Sequence, residues 1–175
     1  HQFESIHPSY DGNGRTGRII NILYLVKNDL LDLPILYLSR YIVRTKSEYY
    51  RLLQLVRDKN DWENWILYII KGIEETAKET IEFIKQIKTL VFETKRRMRT
   101  ELPKIYSQEL LNNLFFHPYT KVQFVIDQVG VSRLTATKYL NQLAEHGFVD
   151  KHKIGRTNYY VNKPLVGLIT QQEKR

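Results

Sequence analysis

The chain has 175 residues, 42% of them hydrophobic, no cysteine and a formal net charge of +8. That length allows one or two domains with a proper core. Zero cysteine excludes disulfides and Cys-ligated zinc and agrees with a reducing cytoplasm, no apolar run reaches the roughly 18 residues of a membrane helix, and no signal-peptide pattern or membrane partner is expected.

The first informative segment is His7-Pro8-Ser9-Tyr10-Asp11-Gly12-Asn13-Gly14-Arg15-Thr16-Gly17-Arg18. Gly12 and Gly14 allow positive φ, so consecutive N–H groups can converge as an anion nest. The helical pattern that follows aims its positive end at the same place. Arg15 and Arg18, three apart, present guanidiniums that suit phosphate oxygens. Asp11 is a single carboxylate beside the nest, which fits a Mg²⁺ held mostly by phosphates and water. His7 is a candidate base toward an attacking hydroxyl. An Asp-Gly-Asn-Gly turn alone is common and a lone histidine is more often structural. The combination is far more demanding.

Helical spacing of apolar residues continues through most of 15–100. It predicts helices over about 15–29, 35–45, 47–58 and 61–101, the last broken near Gly72 or Lys78. Ser47 and Asp61 are the expected caps of the third and fourth. Trp62, Trp65, Ile66, Ile69, Ile70 and Ile73 form an apolar stripe read as core, and Tyr37 and Tyr41 are read as core too. Lys95-Arg96-Arg97-Met98-Arg99 closes the long helix, and Leu102-Pro103 ends it at a domain boundary near 102–106. The remainder reads as helices over 105–116, 120–128 with Thr120 as cap, and 132–146 with Ser132 as cap and Gly147 as stop. Strands follow at 148–153 and 157–161, then a C-terminal tail at 164–175.

Charge is uneven. Residues 1–84 carry 11 Lys/Arg against 12 Asp/Glu, residues 85–104 carry 7 against 2, and residues 105–175 carry 9 against 5. The basic second half raises the question of nucleic acid there, although such runs are usually solvated helix faces. The five histidines show no metal-ligand spacing.

The segment 7–18 resembles the signature of the Fic (filamentation induced by cAMP) family, His-Pro-Phe-x-Asp/Glu-Gly-Asn-Gly-Arg-x-x-Arg, with Ser9 in place of the usual Phe. The stretches 34–42, 49–57 and 61–65 are similar to the helices that follow this motif in many bacterial Fic proteins. The resemblance implies a mainly α fold, part of a Fic-type helical bundle over 1–102. It implies a protein adenylyltransferase that moves AMP from ATP to a Ser, Thr or Tyr hydroxyl of a target protein. His7 would be the base, Asp11 the Mg²⁺ ligand, and Gly12, Asn13 and Gly14 the anion hole. Arg15 would bind phosphate oxygens and Arg18 the γ-phosphate end. Tyr50, with Tyr49 and Arg57 behind it, would lie near the adenosine, ordinary helix packing being the competing reading. Phosphorylation or transfer of another nucleotide is a variant chemistry in the family. The motif begins at position 7, whereas in Fic proteins it lies mid-domain after several helices and a target-aligning flap. The chain is therefore expected to be a C-terminal part with weak or no transfer activity alone.

Helix, helix, Gly turn, helix and hairpin over 105–163 is the order of a winged helix-turn-helix with a small β-hairpin. Residues 131–140 resemble recognition helices of that family, and a Fic half followed by a winged helix is a familiar arrangement. The resemblance implies that Ser132, Arg133, Thr135, Thr137 and Lys138 contact DNA bases and phosphates, with Lys153 and Arg156 at the wing tip. Leu134, Ala136, Leu140 and Leu143 would mostly face the core. A winged helix used for dimerisation or target docking is the alternative, and both families dimerise often, which implies a homodimer.

Overall fold

The computed structural model describes Phe3 and residues 6–174. Its elements are α1 (Asn13–Lys27), α2 (Leu38–Arg44), α3 (Lys46–Lys59), α4 (Trp62–Glu101), α5 (Gln108–Phe116), β1 (Tyr119–Thr120), α6 (Val122–Val129), α7 (Arg133–Glu145), β2 (Asp150–Ile154), β3 (Thr157–Val161) and α8 (Lys163–Lys174). The fold is mainly α, as the resemblance implied. The chain divides into two compact units, His1–Glu82 and Phe83–Arg175, with the division inside α4.

In the first unit α2, α3 and the start of α4 share one core. Leu38, Tyr41 and Ile42 meet Tyr49, Leu52 and Val56 and the rings of Trp65 and Tyr68. The Tyr68 hydroxyl lies 2.6 Å from Thr45 Oγ1, and burial pushes its pKa up. Arg44 anchors α2 to α4 through Glu79 at 2.8 Å. The expected break in α4 does not occur. Gly72 is helical, and its missing side chain is what brings α2 close. A Cβ there would stand 2.5 Å from Tyr41 Cδ1 and 3.1 Å from Leu38 Cδ1. Glycine is retained for interhelical approach at a cost in helix propensity of about 1 kcal/mol.

Several local readings are corrected. Tyr41 is core, but Tyr37 is 60% exposed because it stands just before the first turn of α2. Within the Trp62–Ile73 stripe, Trp65 is buried and Ile69 and Ile73 pack against the core, while Trp62, Ile66 and Ile70 face outward. Ser47 lies inside α3, whose N-cap is Thr45. Thr45 has its hydroxyl turned back to the Tyr41 carbonyl at 2.8 Å. Asp61 does cap α4, accepting from the Asn64 amide at 3.3 Å.

In the second unit Met98 and Leu102 meet Leu110, Leu111 and Leu114 of α5, Val125 of α6, Ala136, Leu140 and Leu143 of α7, and Tyr160 of β3. The sheet is antiparallel in the order β1-β3-β2. Ser132 caps α7 as expected, at 3.3 Å from the Thr135 amide. The helix expected from 105 begins at Gln108, because Ser107 supplies the cap to the Leu110 amide at 3.0 Å. Thr120 is not a cap. It sits in β1, pairs with Tyr160, and donates its buried hydroxyl to Asn113 Oδ1 at 2.6 Å. Asn113 in turn donates to Gln128 Oε1 at 2.7 Å. The segment read as a tail is mostly α8, held by buried Asn162. Its Oδ1 accepts from the Leu165 amide at 3.2 Å and its Nδ2 donates to the Leu114 carbonyl at 3.1 Å.

Two substitutions test this packing by denaturant unfolding. Gly72→Ala gains helix propensity but forces Tyr41 and Leu38 away, so a net loss of about 1–2 kcal/mol is expected from the overpacking range. Asn113→Ala strands the buried Thr120 hydroxyl, and a loss of about 1–3 kcal/mol is expected.

Candidate functional site

The loop before α1 is organised by one side chain. Asn13 is only 3% exposed. Its Oδ1 accepts from the Ser9 amide at 2.9 Å, and its Nδ2 donates to the Ser9 carbonyl at 2.6 Å. Those two bonds fix which end of the amide is NH₂. Its second N–H therefore meets His7 Nδ1, 3.1 Å away. The imidazole lone pair is thus held at Nδ1 by Asn13, and the proton of the neutral ring sits on Nε2. His7 itself has φ 54, an unusual backbone for a non-glycine residue, and its ring is exposed.

Gly12 is the N-cap of α1 with φ 83, the left-handed geometry that glycine adopts without strain. The first helical bond runs from the Thr16 amide to the Gly12 carbonyl at 2.9 Å. The amides of Asn13, Gly14 and Arg15 therefore precede the helical ladder and form the donor end of α1. Gly14 departs from the expected nest geometry. It lies within the first turn of α1 and is absent from the positive-φ residues. The candidate anion site is a helix end entered through one left-handed glycine.

Asp11 accepts from the Gly12 amide at 2.6 Å through Oδ1 and from Arg15 at 3.1 Å through Oδ2. Both side chains are well exposed, so this pair contributes little stability. Arg18 turns away from Arg15, and its Nε donates to Ser39 Oγ at 2.8 Å. The two guanidiniums expected on one face are thus spread across the loop side and the α2 side. Among the described residues no group of three or more His, Cys, Asp or Glu is placed to hold a metal. A single hard carboxylate beside a helix donor end nevertheless suits Mg²⁺, which keeps most of its shell in phosphate and water.

Of the residues expected near adenosine, Tyr49 is buried against Trp65 and Tyr68 at ring separations of 5.2 and 6.3 Å. Tyr50 and Arg57, two turns apart on α3, are exposed, and Lys46 Nζ stands 5.9 Å from the Tyr50 ring. Next to them the Arg51 guanidinium hydrogen-bonds Glu48 and holds its carboxyl below the usual range.

The second unit carries a separate polar concavity. Arg133 and Thr137 of α7 line it with Arg156, Thr157 and Asn158 of the hairpin and with Lys121 ahead of α6. Ser132, Thr135, Lys138 and Lys153 are not among its lining residues. Ser132 and Thr135 are tied to each other, Oγ to Oγ1 at 2.9 Å, and Lys138 and Lys153 are exposed. Leu134 does not face the core. It is 85% exposed, because position 134 falls on the outer side of the first turn while Ala136 and Leu140 turn inward. Lys121 was not singled out by sequence reasoning. Its signal is faint, a lysine at an N-cap position where a capping oxygen is usual.

No described helix is long and apolar enough to cross a membrane. Residues 90–165 match the family model described as protein adenylyltransferase SoFic-like, C-terminal domain. That match covers α5 through β3 and the end of α4. It agrees with the Fic resemblance of a segment outside it, the loop at 7–18. Residues 90–165 are thus similar to the C-terminal domain of SoFic-like protein adenylyltransferases.

Proposed function

We propose that this chain belongs to a machinery that transfers AMP from ATP to a hydroxyl side chain of a protein target, in a cytoplasmic setting. The observation that carries the reading is the Asn13 clamp, which holds His7 beside the donor end of α1. In the reaction the target oxygen forms a bond to the α-phosphorus, the bond from that phosphorus to the bridging oxygen breaks, and pyrophosphate leaves. The hydroxyl proton goes to His7. The amides of Asn13, Gly14 and Arg15 face the phosphate charge. Arg15 and Arg18 take phosphate oxygens. Asp11 would hold Mg²⁺, which supplies charge neutralisation on the phosphates when bound.

Two internal pairings must open first. The imidazole accepts a proton only once its Nδ1 lone pair leaves Asn13 or its tautomer changes. Asp11 and Arg15 must part before one meets a cation and the other an anion. Asp11 and Arg15 are both exposed, so parting them is inexpensive, whereas releasing His7 costs more because Asn13 is buried and its freed N–H must find another acceptor.

A second reading concerns the basic concavity. A winged helix with Arg133, Arg156 and Lys121 around one hollow suits the phosphates of duplex DNA, with α7 toward the major groove. The exposed Leu134 would then offer an apolar contact to a thymine methyl.

Three experiments follow. In calorimetry, Asp11→Ala is expected to abolish Mg²⁺-dependent ATP binding and Arg15→Ala to weaken it, while His7→Ala leaves it intact. His7→Ala is expected to reduce label transfer from α-labelled ATP onto protein by about 10²- to 10⁴-fold, the range of a general base. Full transfer by His7→Ala would remove the assigned base. For the second reading, the log–log salt dependence of duplex binding is expected to flatten by about one unit in Arg133→Glu. An unchanged slope and affinity would remove Arg133 from the interface.

A further inference from the structure

One surface of the second unit is used by neither reading. Thr120 of β1 points inward, so its neighbour Tyr119 points out. The register pairs Thr120 with the buried Tyr160 and Tyr119 with Val161. Tyr159, two residues from Val161, therefore shares the outer face with Tyr119 as a diagonal neighbour, ring to ring at 5.5 Å. His117 lies nearly parallel to Tyr119, at 20° and 6.2 Å. Phe124, in the first turn of α6, stands 5.6 Å from His117 and 6.2 Å from Tyr119. Phe116 closes the edge against His117 at 4.8 Å. Phe116 is 69% and Tyr119 37% exposed and His117 is exposed, while Phe124 and Tyr159 are half-buried.

Charge identifies what would cover them. Lys121 Nζ stands 4.5 Å from the Phe124 ring and 5.9 Å from Tyr159. Lys121 and Phe124 also line the concavity that holds Arg133 and Arg156, and no carboxylate is among its lining residues. Rings and cations are therefore continuous through two shared residues. An apolar protein partner would use the rings and leave the cations uncompensated. A polyanion alone would use the cations and leave the rings wet. A nucleic-acid strand with unpaired bases uses both, the bases on the rings and the phosphates on the cations.

We propose that Tyr119, Phe124 and Tyr159, edged by Phe116 and His117, are a stacking platform for unpaired bases, whose backbone runs to Lys121, Arg133 and Arg156. The proposal rests on the nucleic-acid reading of this unit and differs from it in requiring single-stranded character. Every base has a π-face, so the platform is sequence-tolerant.

The test is fluorescence anisotropy on the full chain at low and moderate salt with three labelled probes, oligo(dT), oligo(rU) and a mixed-sequence duplex of equal length. Binding of either single-stranded probe is expected, weakened about tenfold by Tyr119→Leu or Phe124→Leu and restored in Tyr119→Phe. Leucine keeps apolar volume, and circular dichroism checks that each variant is folded. A preference between the dT and rU probes identifies the strand as DNA or RNA. Single-stranded binding unaffected by both leucine variants overturns the platform. Duplex binding without single-stranded binding overturns the platform and leaves the duplex reading standing. No binding of any probe at low salt overturns both.

Discussion

A side-chain amide removed from water must find its hydrogen bonds within the protein, and a half-satisfied one costs more than an apolar residue would. This constraint organises both units. Asn13 meets it by clasping both backbone groups of Ser9 and reaching His7. Asn113 meets it by joining Thr120 to Gln128, which ties β1 to α6. Asn162 meets it by binding the Leu114 carbonyl and capping α8. Asn13 and Asn162 stand at helix starts and Asn113 lies within α5 facing β1, and each meets partners that an aliphatic residue of that size could not. With no disulfide available, these polar junctions hold the irregular segments in place.

At the candidate site the same logic has a chemical consequence. The groups that phosphoryl transfer needs are a base, a carboxylate, backbone donors and guanidiniums, and the loop holds most of them against one another. His7 is engaged by Asn13, Asp11 by Arg15, and Arg18 by Ser39. The backbone amides at the start of α1 are the exception, since helix geometry denies them an internal partner. They are the part of the site that is organised before any ligand arrives, which suits a catalytic strategy based on preorganised dipoles. The side chains can then exchange weak, exposed partners for stronger ones on a phosphate.

Much of this was readable from the sequence, and the exceptions have specific causes. The helix boundaries at Leu102-Pro103 and Ser132 follow from local chemistry, a proline and a capping hydroxyl, so they were visible. Gly72 was misread as a break because propensity is a local quantity, whereas its role is a contact with Tyr41 and Leu38 from another helix. Thr120 looked like a cap because it precedes an apolar helical run. A two-residue strand pairing with β3, forty residues away, overrode that. Leu134 and Tyr37 were assigned inward because both are large and apolar, yet each lies at a helix start where the facing side is not yet set by periodicity. In the loop, residue types suggest phosphate chemistry, but the Asn13 clamp is invisible in the sequence because it depends on folding the chain back on Ser9.

Under the proposed readings the two units would meet anions by different physics, and their charge differs accordingly. The first, through residue 82, carries 11 basic and 12 acidic residues and has no net positive field to offer. A compact triphosphate does not require one. A helix end, two guanidiniums and a bound cation act within a few ångströms, where geometry matters more than long-range potential. The second unit carries 16 basic against 7 acidic residues over a similar length. Surplus of that kind is wasted on a small ligand, because salt screens it within roughly 10 Å. It becomes useful against an extended polyanion, where each neutralised phosphate releases counterions. On the proposed readings, the near-neutral half with its helix-end loop would then take a compact phosphate ligand and the basic half an extended one.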